Sequence, residues 1–269
     1  MTAEKAEPTV LLEINDGLAV LTLNRPDSYN ALNLRMGEAL LDALVACDED
    51  AGVRAVLLTG SGAAFCSGGD IREMRSEADA DGRSGRFLKK LTVLLHAAVA
   101  TLVRMPKPVV TAVNGPAAGA GFSLGLAGDL VVASETAKFT LAYTAIGLTP
   151  DGSSTYFLPR LLGPKRAFEL MALNEPLSAN QAQQLGMINK VLPAESFAEE
   201  AETYARKLAS GPTRALGQTK HLLTASAESG LETTMELERR AIADCGGSSD
   251  FIEGTKAFLE KRAATFTGR

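Results

Sequence analysis

The sequence has little of several residue types that mark specialised protein classes. Among its 269 residues there is no tryptophan, and there are only two histidines and three cysteines. Two histidines are too few for a histidine-rich metal site. Cys47, Cys66 and Cys245 are odd in number and far apart. This pattern excludes a disulfide framework and a zinc cluster, and it predicts free thiols in a reducing cytoplasm.

Long apolar runs and an excess of positive charge are also missing. No apolar run approaches the roughly 18 residues of a membrane span, and the opening MTAEKAEPTV has no apolar region typical of a secretory signal. Lysine and arginine total 27 against 32 aspartates and glutamates, which gives a net charge of −5. Without a basic run, neither a nucleic-acid partner nor a membrane is expected. The composition, 46% hydrophobic and 22% charged, predicts a soluble, cytoplasmic α/β protein.

The N-terminal part predicts a hairpin followed by a βαβ unit. Two apolar runs, TVLLEI and LAVLTL, flank Asn15-Asp16-Gly17, and Asp-Gly between such runs is typical of a tight hairpin turn. Asn33 is a suitable N-cap for the amphipathic stretch after it. Another apolar run follows at 55–59, so strand, helix and strand predict parallel pairing.

The remaining chain divides into two predicted parts. Residues 72–86 are charged and small without periodicity, which predicts a mobile surface loop, and a helix at 87–104 and a strand at 109–113 follow. From about residue 195 the pattern is amphipathic helix. We therefore expect an α/β core at 1–194 and a helical segment at 195–269, of the kind that often packs on a partner subunit.

Two glycine-rich loops are candidates for ligand binding. The first is Phe65-Cys-Ser-Gly-Gly-Asp70 and the second is Asn114-Gly-Pro-Ala-Ala-Gly-Ala-Gly121. Each follows a predicted strand, and small residues let backbone N–H groups approach a ligand. Together the loops can offer two donors to one oxyanion. For each loop taken alone, tight turns with close helix–sheet packing are the simpler explanation of the same glycines.

Established motifs give mostly negative results. The spacing GxGxxG and a P-loop are absent, so neither a dinucleotide nor a nucleotide triphosphate site is expected. Gly121-Phe-Ser123-Leu-Gly125 matches the GxSxG motif of serine hydrolases, with His221 as a possible base. However, the motif does not directly follow a strand, which disfavours a nucleophile elbow.

Asp151 is the most suggestive ionisable residue. It lies between Pro150 and Gly152, near apolar residues, and can be either a partly desolvated base or the N-cap of a helix that begins near Ser153 or Ser154. His96 falls on the helix at 87–104, where a buried core histidine is the simpler interpretation. Cys66 has no histidine nearby in the sequence, which favours a structural thiol.

At these residues the sequence resembles the crotonase (enoyl-CoA hydratase/isomerase) superfamily. The resemblance covers nearly the whole chain in the correct order and is closest to the ring-1,2-epoxyphenylacetyl-CoA isomerase group. The matching stretches are Leu23-Asn-Arg-Pro26, Asn30-Ala-Leu32, Phe65-Cys-Ser-Gly-Gly-Asp-Ile71, Val113-Asn-Gly-Pro-Ala-Ala-Gly-Ala-Gly121, Gly128-Asp-Leu130, Leu158-Pro-Arg-Leu-Leu-Gly163, 182–191 and Ala257-Phe-Leu-Glu-Lys-Arg262.

The resemblance implies an α/β fold with a ββα spiral core and a helical C-terminal segment, assembled as a homotrimer or homohexamer. It implies an acyl-CoA thioester substrate, no separate cofactor and no metal. The oxyanion donors are then the backbone N–H groups of Gly69 and Ala120. Contacts to CoA are implied for Asp27, Ala31, Ser67, Asp70 and Ile71, and for Phe258 and Lys261 toward the CoA of a neighbouring subunit.

Departures from the family pattern bear on the reaction. Hydratases of the family place two glutamates around the substrate, and here those positions are Ser123 and Tyr143. Neither hydroxyl is a competent base near neutral pH, which disfavours water addition. Isomerase-like members carry a single acid that matches Asp151, so the resemblance implies a double-bond isomerase with Asp151 as acid and base.

Two other interpretations remain open. In the 4-chlorobenzoyl-CoA dehalogenase branch, an aspartate nucleophile falls at Asp151 and a histidine at His96, and Tyr143 falls at an aromatic pocket position. Alternatively, the chain is an acyl-CoA-binding relative without catalysis. The acyl group is not specified by the sequence.

Overall fold

The computed structural model describes residues 7–77 and 83–269. The strands are β1 Val10–Asn15, β2 Leu18–Leu23, β3 Ala55–Gly60, β4 Val109–Val113, β5 Ala117–Ala118, β6 Leu130–Ser134, β7 Lys138–Thr140, β8 Leu177–Ser178 and β9 Lys190–Leu192. The helices are α1 Leu34–Glu49, α2 Ile71–Glu77, α3 Arg83–Arg104, α4 Ala120–Gly125, α5 Ser154–Leu162, α6 Pro164–Leu173, α7 Ala179–Gln184, α8 Phe197–Ala209, α9 Thr213–Ser226, α10 Leu231–Gly246 and α11 Ser249–Glu260.

A six-stranded sheet in the order β1-β2-β3-β4-β6-β9 forms the centre of the fold. The predicted hairpin is confirmed: β1 and β2 are antiparallel, and Asp16 and Gly17 both have positive φ in the turn between them. All other neighbours in this sheet are parallel, as the βαβ pattern predicts. The carboxyl ends of its parallel strands therefore point to one edge, where loops can converge.

The central sheet is covered on both faces because side chains alternate along each strand. Ala19, Leu21, Val56 and Leu58 belong to the large core on one side, where α1 packs against α3. Their neighbours in the sequence face a second core that is closed by α8; these are Leu18, Ala55 and Leu57. The side chain of Asn33 caps α1 by accepting from the Met36 N–H at 2.9 Å, as predicted.

A small three-stranded sheet, β5-β7-β8, lies beside the central sheet and was not predicted. Its strands have only two or three residues, too short for a periodic pattern. Its strand β5 leads into α4, so this sheet positions the second glycine-rich loop. The division of the chain at 194/195 stays a prediction, and α8, just beyond it, shares the second core with the sheet.

The prediction of a loop at 72–86 is wrong for most of these residues. Residues 71–77 form α2, and α3 begins at Arg83, four residues before the predicted start; residues 78–82 of that predicted loop lie outside the described part. The Asp70 carboxylate accepts from the N–H groups of Arg72 and Glu73 and so begins α2. Across the described residues, no helix combines the length and apolar character that a membrane span requires.

Candidate active site

The two glycine-rich loops lie side by side. Cys66 and Ala117 form a parallel bridge, the Ala118 N–H donates to the Cys66 carbonyl at 2.9 Å, and the Phe65 N–H donates to the Pro116 carbonyl at 3.1 Å. Segments that are about fifty residues apart in the sequence are thus joined by backbone hydrogen bonds. Their relative position is therefore set by the backbone rather than by flexible side chains.

Close backbone approach explains why small residues occupy these loops. A Cβ added at Gly121 would lie 2.0 Å from the carbonyl oxygen of Cys66, so no larger residue fits where α4 meets the first loop. Gly119 has φ of +51° and ψ of −123°, a conformation that residues with a Cβ rarely adopt. These glycines are therefore compatible with both explanations that the sequence left open, which are tight packing and exposure of backbone amides.

Gly69 and Ala120, the predicted donor pair, line the same cavity. Ala120 is the first residue of α4, where an N–H group has no partner within the helix. Within the described part of the chain, neither amide donates to a protein carbonyl outside its own element. The cavity lining thus includes two residues whose backbone N–H groups have no such acceptor in the described part of the chain.

The cavity has a volume of about 170 Å³ and is mostly apolar. Of its lining residues within the described part of the chain, only Asp151 carries a carboxylate. The cavity is lined by Leu32, Gly69, Met74, Leu88, Leu91, Thr92, Leu95, Ala120, Tyr143, Leu148, Thr149 and Asp151. Met74 belongs to α2, which the sequence did not predict as a helix; Ile71 and Met74, three residues apart, were the available signal.

Asp151 is held by two buried hydroxyl groups. The Tyr143 hydroxyl donates to Asp151 Oδ1 at 2.5 Å, and Ser123 Oγ donates to the Asp151 carbonyl at 2.8 Å. The two hydroxyl oxygens are themselves 3.3 Å apart. Ser123 is completely buried and Tyr143 is 8% exposed. The two positions where the resemblance placed glutamates thus meet at Asp151.

Tyr143 is a neutral donor in this group. Burial raises the pKa of its hydroxyl well above the ordinary value, and the charge and hydrogen bond of Asp151 raise it further. The alternative role for Asp151, as a helix N-cap, is not observed, because Ser153 occupies that position and no side-chain cap bond is formed. Asp151 lines the cavity, and its carboxylate bonds Tyr143 rather than the N-terminus of α5.

His96 is not the core histidine that the sequence favoured. Its side chain is exposed on α3, and Nε2 accepts from the Gly152 N–H at 3.3 Å. It lines a separate cavity with Gly152, Ser153 and Tyr156.

The predicted CoA-contacting segments form a continuous surface next to Gly69. The Leu32 N–H donates to the Gly68 carbonyl and the Asp70 N–H to the Leu32 carbonyl, so the segments at 25–32 and 67–70 run together. Arg25 Nη2 bonds Asp70 Oδ2 at 2.9 Å. In this surface Asp27, Ser67 and Ile71 are exposed, whereas Ala31 is buried.

Phe258 and Lys261 lie elsewhere. Both belong to the end of α11, and Phe258 is 83% exposed. Phe258 lines a cavity of about 810 Å³ between α9, α10 and α11, and neither residue lines the cavity of Asp151.

The serine-hydrolase interpretation is not supported by the geometry. Ser123 lies inside α4, completely buried, with its hydroxyl engaged by Asp151 and Tyr143. His221 lines a different cavity, with Arg104 and Arg214. Cys66 is buried as well, and burial raises the pKa of its thiol to about 11, which fits the predicted structural role.

A model of the Enoyl-CoA hydratase/isomerase family matches residues 13–269. The chain belongs to this family. It is therefore an acyl-CoA enzyme with the crotonase fold, which confirms the resemblance and the predicted fold class.

The chain's relatives in the enoyl-CoA hydratase/isomerase family carry the names of several reactions. The chain is 40% identical to 1,2-epoxyphenylacetyl-CoA isomerase from Escherichia coli, over 97% of this chain and 98% of the relative. It is 34% identical to 4-chlorobenzoyl coenzyme A dehalogenase-2 from Arthrobacter sp, over 94% and 91%. Enoyl-CoA hydratase from Mycobacterium smegmatis has a similar crystal structure, with a TM-score of 0.88, 34% identity, and coverage of 97% of this chain and 99% of that chain. Family membership thus does not identify the reaction, which has to be inferred from the residues of the site.

Proposed function

We propose that the protein is an acyl-CoA isomerase that moves a 3-enoyl double bond into conjugation with the thioester, or rearranges a related ring or epoxide acyl-CoA. The observation that carries the proposal is the cavity whose lining includes Asp151 together with Gly69 and Ala120. An enolate mechanism needs one base and one anion site, and in this proposal Asp151 is the base and the amides of Gly69 and Ala120 form the anion site.

The two amides are assigned to the thioester oxygen. When a proton leaves C2, negative charge develops on that oxygen, and two fixed N–H donors stabilise it without reorganising. Each such donor contributes about 3 kcal/mol to the stabilisation of the transition state. The backbone hydrogen bonds between the two loops support this role, because they fix the spacing of the donors.

Asp151 is assigned to both proton transfers. Its carboxylate takes a proton from C2 of the 3-enoyl thioester, and the electron pair of that C–H bond becomes part of a dienolate. The protonated Asp151 then returns the proton to C4, so the double bond moves from C3–C4 to C2–C3. One carboxylate suffices because the same proton leaves and returns.

Water addition is disfavoured by the residues around Asp151. A hydratase of this family uses two carboxylates, and here the corresponding side chains are the hydroxyls of Ser123 and Tyr143. Both hydroxyls are buried and bonded to Asp151. The raised pKa of Tyr143 further opposes a role as base.

The second candidate is an aspartate-nucleophile reaction like that of the dehalogenase branch. The observation in its favour is the position of His96, whose Nε2 reaches the residue next to Asp151. A catalyst of this kind would release chloride from 4-chlorobenzoyl-CoA in proportion to enzyme turnover, whereas an isomerase would release none.

We assign CoA binding to the surface around Asp27, Ala31, Ser67, Asp70 and Ile71, which leads into the cavity at Gly69. Phe258 and Lys261 do not line the cavity of Asp151, and we assign them to the CoA of a neighbouring subunit. The exposed apolar side chains of α10 and α11 support a homotrimer or homohexamer, since Ile242 is 75% and Leu259 81% exposed. Sedimentation equilibrium gives the subunit number directly.

The experiment that tests the function pairs the wild type with Asp151→Asn. Both are assayed with 3-hexenoyl-CoA and with crotonyl-CoA, and the absorbance of the conjugated enoyl thioester is followed. We expect wild type to form conjugated product from 3-hexenoyl-CoA and to hydrate crotonyl-CoA poorly, and the variant to be inactive while still binding CoA thioester. Efficient hydration of crotonyl-CoA would contradict the assignment. Equal behaviour of both proteins in every assay would favour a non-catalytic acyl-CoA binder.

A further inference from the structure

One peptide group next to the carboxylate of Asp151 is bonded at both of its polar atoms by side chains. Ser123 Oγ donates to the carbonyl oxygen of Asp151 at 2.8 Å, and His96 Nε2 accepts from the N–H of Gly152 at 3.3 Å. These are the C=O and the N–H of the same Asp151–Gly152 peptide. Ser154, at the start of α5, also donates to that carbonyl, through Oγ at 3.0 Å and its N–H at 3.2 Å. Ser123 and His96 come from two other helices, α4 and α3.

The loop lies close to both helices. Gly152 has φ of +59°, and a Cβ added there would lie 2.8 Å from Ser123 Cβ and 3.1 Å from Leu95 Cδ2. A residue with a side chain would be both strained and too close. Gly152 therefore lets the peptide come within hydrogen-bonding distance of Ser123 and His96 at once.

The Asp151 side chain is held at both of its ends. The peptide is planar, so holding its C=O and N–H restrains ψ of Asp151 and with it the backbone from which the side chain extends. Tyr143 holds the other end of the side chain at Oδ1. Together these contacts narrow the range of positions open to the carboxylate.

We propose that Ser123 and His96 are positioning residues that together clamp the Asp151–Gly152 peptide, and that His96 acts as a hydrogen-bond acceptor rather than as a base. This inference rests on the proposed function of Asp151. A nitrogen that accepts from an N–H must carry a lone pair there, so the clamp requires the proton of the His96 ring to be on Nδ1. His96 and Gly152 line a different cavity from the one that Asp151 lines.

Substitution by glutamine separates an acceptor from a base. The amide oxygen of His96→Gln extends about as far as Nε2 and can accept from Gly152, but an amide cannot take up a proton at neutral pH. His96→Leu removes the acceptor. The chain has only two histidines, so the matched controls are His221→Gln and His221→Leu, at an exposed position that lines neither cavity.

With 3-hexenoyl-CoA, we expect His96→Leu to lower kcat at least about tenfold and to leave KM within about twofold, because the acceptor orients Asp151 and does not bind CoA. His96→Gln should restore kcat to within about threefold of wild type. Ser123→Ala should lower kcat in the same way. In the double variant Ser123→Ala/His96→Leu, the fold-decrease in kcat should be smaller than the product of the fold-decreases in the two single variants, because both side chains act on one peptide. Thermal unfolding shows whether each variant is folded.

Three results would overturn the clamp: wild-type kcat in His96→Leu, a His96→Gln variant as inactive as His96→Leu, or independent effects in the double variant. The second result would instead identify His96 as a proton-transferring residue.

A second measurement does not depend on turnover. In protein labelled with ¹⁵N-histidine, the long-range proton–nitrogen spectrum distinguishes the two neutral tautomers, and His221→Gln assigns the two rings. We expect the Nδ1–H tautomer for His96 at pH 8, and the Nε2–H tautomer would refute the clamp. If Asp151→Asn and wild type are equally active or inactive, the proposed function fails, and the tautomer still decides whether the clamp exists.

Discussion

The Tyr143 hydroxyl lies 2.5 Å from Asp151 Oδ1 and donates to it. Burial and the neighbouring carboxylate raise the pKa of Tyr143, so the hydroxyl keeps its proton and stays a donor. In the proposed mechanism, Asp151 exchanges protons with the substrate and Tyr143 only orients it.

Removal of the donor should impair turnover more than binding. In Tyr143→Phe the carboxylate loses a charge-assisted hydrogen bond, and we expect kcat for 3-hexenoyl-CoA to fall about tenfold or more with little change in KM. Steady-state kinetics of wild type and variant measure both constants. A kcat equal to that of wild type would show that the bond does not orient Asp151.

The raised pKa of Tyr143 predicts its titration. At pH 10, the ordinary value for a tyrosine, Tyr143 should remain protonated because its buried phenolate would face the charge of Asp151. The tyrosinate absorbance of wild type and Tyr143→Phe should therefore coincide at pH 10. A wild-type excess equal to one ionising tyrosine would contradict the burial of this hydroxyl.

Alanine substitution should destabilise the fold to different extents at two glycines of the glycine-rich loops, Gly121 and Gly69. In Gly121→Ala the new Cβ would meet the Cys66 carbonyl oxygen at 2.0 Å, whereas in Gly69→Ala it would meet the flexible end of the Met74 side chain. Backbone cannot yield as a side chain can, so we expect Gly121→Ala to lower the free energy of unfolding by about 3 kcal/mol and Gly69→Ala by less than about 1 kcal/mol. Denaturant unfolding checks both. Equal losses would mean that the two loops are not held as tightly as their hydrogen bonds indicate.

Asp70 should make stability depend on acid pH. Burial opposes its ionisation, but the hydrogen bond and charge of Arg25 and the N–H groups of Glu73 and Arg72 outweigh burial and lower the pKa of Asp70. A carboxyl group with a lowered folded-state pKa stabilises the fold above its unfolded pKa and loses that contribution as pH falls through the folded value. We expect the free energy of unfolding of Asp70→Asn to be about 1 kcal/mol lower than that of wild type at pH 7. This difference should shrink below about pH 4.

The control for Asp70 is Asp27→Asn, at an exposed position on the same surface. Its unfolding free energy should stay within about 0.5 kcal/mol of wild type. If Asp70→Asn were as destabilising at pH 3 as at pH 7, the substitution would act through the shape of the side chain and not through its charge.

The cysteines should differ in reactivity. Burial raises the pKa of the Cys66 and Cys47 thiols to about 11, whereas Cys245 is partly exposed. At pH 8 we expect iodoacetamide to alkylate Cys245 in the folded protein and all three cysteines after unfolding, as measured by mass spectrometry. Rapid alkylation of native Cys66 would show that the first glycine-rich loop opens in solution.

Local sequence signals were sufficient for much of the fold. Asp16-Gly17 between two β-branched runs predicts the hairpin because the turn needs positive φ, and Asn33 predicts the start of α1 because its side chain can accept from the helix. Helix α2 was missed because its seven residues include a single apolar pair, Ile71 and Met74, and its N-terminus depends on a carboxylate, Asp70, that is also tied to Arg25. The second sheet was missed because its strands are too short to show alternation.

The sequence by itself determined the hairpin, the βαβ unit, the two glycine-rich loops and the absence of glutamate at Ser123 and Tyr143. Only the tertiary structure decided that Ser123 and Tyr143 meet at Asp151, that His96 lies outside the core and reaches Gly152, and that Phe258 belongs to another surface. Periodicity and capping reflect interactions within a few residues along the chain. Hydrogen bonds such as that between His96 and Gly152, which are 56 residues apart, form only when the packing of α3, α4 and the sheet brings distant segments together.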